Sequence, residues 1–271
     1  MSVEKIISSW KKKSFSAVYW LEGDEDFYID EITAYAEHHI LPEQEASFNL
    51  TVFYGRDADW ASVINSCRRY PMFAERQVVI LKEAQQMKDI DKLEAYIVAP
   101  LTSTLLVIAL KGSNTDKRTK FYKLLQSNTV YFNAAKIRDN KVVDWITDYI
   151  ASKGLSIKPN AATLLEEHIG NDLSRLANEV GKLQINLKGN RKEITEDDIE
   201  TYIGISKEYN VFELQAAIAY RNLAKAIQII NYFESNPKAN PIQRIFPALY
   251  SNFSRIISVY GLTDKSDSAL K

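Results

Sequence analysis

The residues best placed to do chemistry lie where short apolar runs end. Ala17-Val18-Tyr19-Trp20-Leu21 leads into Gly23-Asp24-Glu25-Asp26-Phe27, the outline of a strand, a glycine turn and a helix start. A phosphate-binding loop would occupy that place. It requires free backbone N–H groups and a lysine at the helix start to neutralise the phosphates. Here three carboxylates follow the glycine, with no lysine and no second glycine. Each carboxylate would repel a phosphate by roughly 1 kcal/mol even at the dielectric of water. The only Gly-Lys pair, Gly181-Lys182, falls inside a helical pattern with Leu183 after it. The magnesium half of such a site fails too. Val78-Val79-Ile80-Leu81 is followed by Lys82-Glu83, a lysine where a metal-holding carboxylate would stand. Nucleotide hydrolysis is not expected.

Other chemistries find no better footing. The three histidines are His38, His39 and His168. The first two are adjacent, which does not put both on one helix face, and no Cys/His spacing matches zinc. Cys67 stands alone; it reads as a small buried helix residue without a partner histidine, and it cannot form an internal disulfide. Asp24 and Asp26 read as charges at a helix N-terminus. No cofactor, no metal and no catalytic residues are expected, and the chain reads as one that grips other macromolecules.

The elements that position these residues change in kind along the chain. In the first half, apolar runs at 17–21, 48–54, 77–81, 104–110 and 129–132 read as strands. They alternate with helical patterns at 27–40, 59–69, 89–98 and 118–126. Repeated strand–helix units with apolar strands predict a parallel sheet covered on both faces. The first thirteen residues read as a polar helix. After Lys136 the strands are expected to stop. Helices are predicted over 140–153, 160–169 and 172–187, with a short one opening at Thr195-Glu196-Asp197-Asp198 in a capping-box arrangement. Two long apolar helices, Val211 to Glu234 and Pro241 to Tyr260, follow, separated by Asn236-Pro237 and Asn240-Pro241, and a polar tail runs from Thr263 to Lys271. Three domains are expected: 1–135, 136–205 and 206–271, the last incomplete. Across 271 residues, 34 Lys and Arg face 35 Asp and Glu, a net charge of −1. That excludes a strongly basic nucleic-acid coat. No apolar stretch approaches a membrane span, so a cytoplasmic protein is expected.

Several segments, in order, resemble one family. Val18-Tyr19-Trp20-Leu21-Glu22-Gly23-Asp24-Glu25-Asp26-Phe27, then Phe48-Asn49-Leu50 with Phe53-Tyr54-Gly55, then Pro71-Met72-Phe73-Ala74-Glu75-Arg76-Gln77-Val78-Val79 are similar to the delta-subunit family of the bacterial DNA polymerase III clamp loader. So are Asp116-Lys117-Arg118-Thr119-Lys120-Phe121-Tyr122-Lys123 and Gly170-Asn171-Asp172-Leu173 with Glu179 to Leu183. The resemblance implies a degenerate AAA+ (RecA-like) α/β domain, a small helical lid-like domain and an all-helical collar domain, here only its start. It implies a non-catalytic part of the polymerase holoenzyme that binds and opens the sliding clamp for loading onto primed DNA. Other loader subunits would join through the collar.

The same resemblance puts the clamp contact at Tyr70, Pro71, Met72 and Phe73, with Met72 and Phe73 as the pair that enters an apolar pocket. The residues alone leave open that Phe73 packs beneath the preceding helix near Trp60 and Cys67. Lys111, Lys117, Arg118 and Lys120 are candidates for DNA-phosphate contacts, and a solvated basic face is the plainer reading of them. Lys11 to Lys13 form a second basic run. Two rival functions remain: an active ATPase of the same assembly, marked by a working phosphate loop, and a stand-alone DNA-binding regulator, marked by tight, salt-sensitive DNA binding.

Overall fold

The computed structural model describes residues 2–187, 191–204, 209–237 and 241–260, with the backbone alone at 244. The chain divides into two compact units, Met1–Ile137 and Arg138–Lys271. The expected boundary at 205 and 206, Asn240 and the tail from Thr263 to Lys271 lie outside the described residues.

Five parallel strands form the centre of the first unit: β1 (Val18–Gly23), β2 (Leu50–Tyr54), β3 (Gln77–Lys82), β4 (Thr104–Ala109) and β5 (Val130–Ala134), in the order β2-β3-β4-β1-β5. Side chains alternate across a strand, so each strand feeds two cores. Tyr19, Leu21, Val78, Ile80, Leu105 and Val107 face one side, where α1 (Val3–Lys11) and α2 (Asp26–His39) cover them. Val18, Trp20, Val79, Leu81, Leu106 and Ile108 face the other. There they meet α4 (Trp60–Cys67), α5 (Glu94–Ile97) and α6 (Lys120–Asn128). The helix at the start is amphipathic rather than wholly polar. Val3, Ile6 and Trp10 recur at helical spacing and are buried, with the Trp10 ring edge-on to Tyr19 at 4.9 Å.

Two sequence expectations in this unit change. Phe48 and Asn49 belong to a helix, α3 (Glu43–Asn49), and the strand begins only at Leu50. Glu43 and Glu45 favour that helix by sitting in its first turn after Pro42. The helix expected over 89–98 is instead a 3-10 turn, Ile90–Leu93, running into the single turn of α5. Burying Leu93, Tyr96 and Ile97 together decides this local geometry.

In the second unit α7 (Val142–Ser152), α8 (Pro159–Ile169), α9 (Leu173–Asn186) and α10 (Glu196–Ile203) bury Ile146, Ile150, Leu165, Leu176, Val180, Leu183 and Ile199. Strand pairing does not stop with the sheet: Ser156–Ile157 pairs in parallel with Glu193–Ile194. The helix expected over 211–234 is a hairpin of two, α11 (Val211–Ala219) and α12 (Leu223–Ser235). Arg221 takes a φ of 58°, and the Asn222 side chain accepts the Lys225 N–H at 3.1 Å as the cap of the second helix. Leu214, Ala217, Ala226, Ile229 and Phe233 close that hairpin, with Ile245 and Leu249 of α13 (Ile242–Tyr260) against them. Among the described residues no helix is long and apolar enough to cross a membrane.

β1 ends at a position only glycine tolerates. Gly23 has a φ of 135°, and a Cβ there would lie 2.3 Å from the Ala134 carbonyl oxygen. Gly23→Ala should therefore destabilise the protein by roughly 2 kcal/mol or more, read as a lower urea midpoint. An unchanged midpoint would contradict this packing.

Candidate partner-binding site

The end of β1 is closed by the protein itself. The amides of Asp24 and Glu25 both donate to the Ala134 carbonyl, at 2.9 and 3.0 Å, and Gly23 N–H donates to Ser113 at 3.2 Å. These are the groups a phosphate would need, and β5 and the loop after β4 have taken them. The Glu25 carboxyl lies buried at the start of α2, and burial raises its pKa against the opposing pull of the Phe27 and Ile137 amides and of Lys136. Glu22, fully buried, accepts from Trp20 Nε1 at 2.7 Å, from Thr115 N at 3.1 Å and Oγ1 at 2.6 Å, and from the Tyr131 hydroxyl. Burial first, and then that carboxylate, push the Tyr131 hydroxyl up. Lys82, at the end of β3, is paired with Glu37 at 2.6 Å.

His38 and His39 are exposed at the end of α2, the latter against the Tyr35 ring at 4.9 Å. Among the described residues no three His, Cys, Asp or Glu side chains are grouped to hold a metal ion.

The opposite end of the sheet looks outward. Here α4 stops, and its last carbonyls have no partners within the helix. Gln77, the buried first residue of β3, takes them up: its Nε2 lies 2.6 Å from the Arg69 carbonyl and 2.8 Å from Thr104 Oγ1. Thr104 in turn donates to the Cys67 carbonyl at 2.8 Å. Beyond this anchor Pro71 bars continuation of the helix, and the next side chains leave the protein. Tyr70 is 78% exposed, Met72 54% and Phe73 98%. Phe73 does not pack beneath α4. It adopts a φ of 53°, a conformation that costs a bulky residue of order 1–3 kcal/mol unless its surroundings impose it.

The surroundings supply a second anchor that sequence reasoning missed. The buried Asn49 side chain accepts the Met72 N–H at 2.7 Å and donates to the Met72 carbonyl at 2.9 Å and the Glu45 carbonyl at 3.1 Å. Gln77 carried a signal, since it opens an apolar strand where a buried polar group must find partners; Asn49, read as part of a strand over 48–54, carried none.

The basic candidates separate into two kinds. Lys111 is committed to Asp30 at 2.6 Å. Lys117, Arg118 and Lys120 lie exposed around the turn that Thr119 caps at the start of α6. Within it the Arg118 guanidinium forks onto Asp116, at 2.8 Å for the closest contact.

A five-stranded parallel sheet with helices on both faces, the loop after β1 closed by Ala134 and Ser113, and a separate helical unit define an α/β protein. Residues 19–135 match the family described as DNA polymerase III, delta subunit. The chain is 28% identical over 259 residues to DNA polymerase III subunit delta of Bacillus subtilis (strain 168), covering 92% of this chain and 74% of that one. It is also similar to the solved structure of the Bacillus subtilis DNA clamp loader delta protein (YqeN). The TM-score is 0.68 and the identity 26%, covering 94% of this chain and 77% of that chain.

Cys67 offers a check on the core under this site. Burial pushes its thiol up to about 12, so it stays protonated and shielded at neutral pH. An alkylating reagent at pH 8 should leave the native thiol unmodified over hours and label urea-unfolded protein at once. Labelling of the native protein at the free-thiol rate would show that α4 does not pack as described.

Proposed function

We propose that this chain is a non-catalytic clamp-loader subunit that binds the sliding clamp through Tyr70, Pro71, Met72 and Phe73 and helps open the ring for loading onto primed DNA. The carrying observation is the exposure of Met72 and Phe73 on a segment held by Gln77 and Asn49, within residues 19–135 that match the delta-subunit family. Large exposed apolar side chains at a rigid point support a binding role. The sealed end of β1 and the Lys82–Glu37 pair favour this reading over the ATPase one. The net charge of −1 favours it over a stand-alone DNA-binding regulator.

Other loader subunits would assemble through a collar formed from residues 206–271. Support comes from the exposed apolar side chains of Leu223, Ile227 and Ile230 on α12 and of Phe246, Tyr250 and Ile257 on α13. Lys117, Arg118 and Lys120 are the exposed basic residues that would meet DNA phosphates in that assembly, Arg118 by giving up its fork on Asp116, whereas Lys111 is both paired with Asp30 and largely covered. A cytoplasmic location goes with this role.

Burying an apolar side chain contributes roughly 1.5–3 kcal/mol. The Met72→Ala/Phe73→Ala variant should therefore bind the clamp ring from the same source about a hundredfold more weakly, with its melting temperature unchanged. Full affinity with a sharply lowered melting temperature would make the pair core residues and refute the assignment. Calorimetric titration with magnesium and ATP should give no saturable heat, whereas a stoichiometric isotherm would restore the ATPase reading.

A further inference from the structure

We propose that Asn49 is a positioning residue for this binding site, holding the Met72–Phe73 pair in its binding conformation without touching the partner; the inference rests on the clamp reading above. Its amide is saturated by this task. The one acceptor takes the Met72 N–H, and the two donor hydrogens serve the Met72 and Glu45 carbonyls. Both backbone groups of Met72 are thus fastened by a single side chain from α3. Of the two flanking residues, Pro71 has no N–H to offer and Phe73 takes a positive φ.

The register of the sheet explains why this side chain is in reach. β2 and β3 pair from Leu50 opposite Val78. Asn49 and Gln77 each stand one residue before that pair, side by side at the edge where α4 ends. Gln77 holds the segment at Arg69 and Asn49 holds it at Met72. The two amides form a bracket around the two residues between those points, Tyr70 and Pro71.

Without Asn49, the Met72 amide and carbonyl would turn to water and the segment would sample other conformations. Apparent affinity then falls with the fraction of molecules in the competent conformation. Aspartate cannot replace the amide, since it would set an acceptor against the Met72 and Glu45 carbonyls.

The test measures affinity for the clamp ring alongside amide hydrogen exchange. Asn49→Ala and Asn49→Asp should each weaken ring binding about tenfold. In a Phe73→Ala background the Asn49→Ala loss should shrink below threefold, because less remains to be positioned. The Met72 amide should exchange slowly in the unaltered protein and at a free-loop rate in Asn49→Ala, with the β3 amides unchanged. Undiminished, additive losses, or full affinity of Asn49→Ala beside a weakened Phe73→Ala, would overturn the positioning role. Full affinity of Phe73→Ala would instead overturn the clamp reading, leaving Met72 exchange to judge the hold. Should Asn49→Ala fail to fold, exchange in the unaltered protein decides: a fast Met72 amide refutes the proposal and a slow one sustains it.

Discussion

The carbonyls that end α4 meet Gln77 and Thr104, and the exposed part of the first unit hangs from that meeting. A helix end buried beside a sheet leaves acceptors that cost about 1–3 kcal/mol each if left unpaired. Here two polar residues at the starts of adjacent apolar strands absorb them. The helix can therefore finish against the core, and the chain after it is released at a fixed point and in a fixed direction. Pro71 then turns the backbone outward, and Tyr70, Met72 and Phe73 stand in solvent above the groups that Gln77 and Asn49 hold.

The two ends of the sheet have opposite characters. In parallel α/β sheets, ligands ordinarily enter at the carboxyl ends of the strands. In this chain that edge is filled from within: Ala134 takes the amides after Gly23, Glu22 gathers Trp20, Thr115 and Tyr131, and Glu37 takes Lys82. The outward-looking residues lie at the amino ends of β2, β3 and β4. One edge of the sheet is thus closed by its own hydrogen bonds, and the other displays Tyr70 and Phe73 to solvent.

Much of this was legible in the sequence because strands buried on both faces are written as unbroken apolar runs. Val78 to Leu81 and Leu105 to Leu110 could hardly be anything else, and the strand–glycine–helix outline from Val18 to Phe27 is the one the chain adopts. What escaped notice depended on contacts between distant residues. Asn49 lies 23 positions from the backbone it holds, so nothing local distinguishes it from a strand residue. The break at Arg221 was hidden because apolar residues on both sides keep helical spacing, while the interruption is set by one left-handed residue and the Asn222 cap. Phe73 was ambiguous for the same reason. Its exposure follows from how α4 is terminated, which involves Gln77 and Thr104 rather than its own neighbours.

Photo-crosslinking from position 73 probes the ring-binding role most directly. With a benzophenone-bearing phenylalanine analogue there, irradiation of the protein with the clamp ring should give one intermolecular adduct, mapped by peptide sequencing to an apolar pocket of the ring. Free Phe73 peptide should compete for it. Adducts confined to the first unit's own core residues, or none with the ring at saturating concentration, would contradict the role assigned to this edge of the sheet.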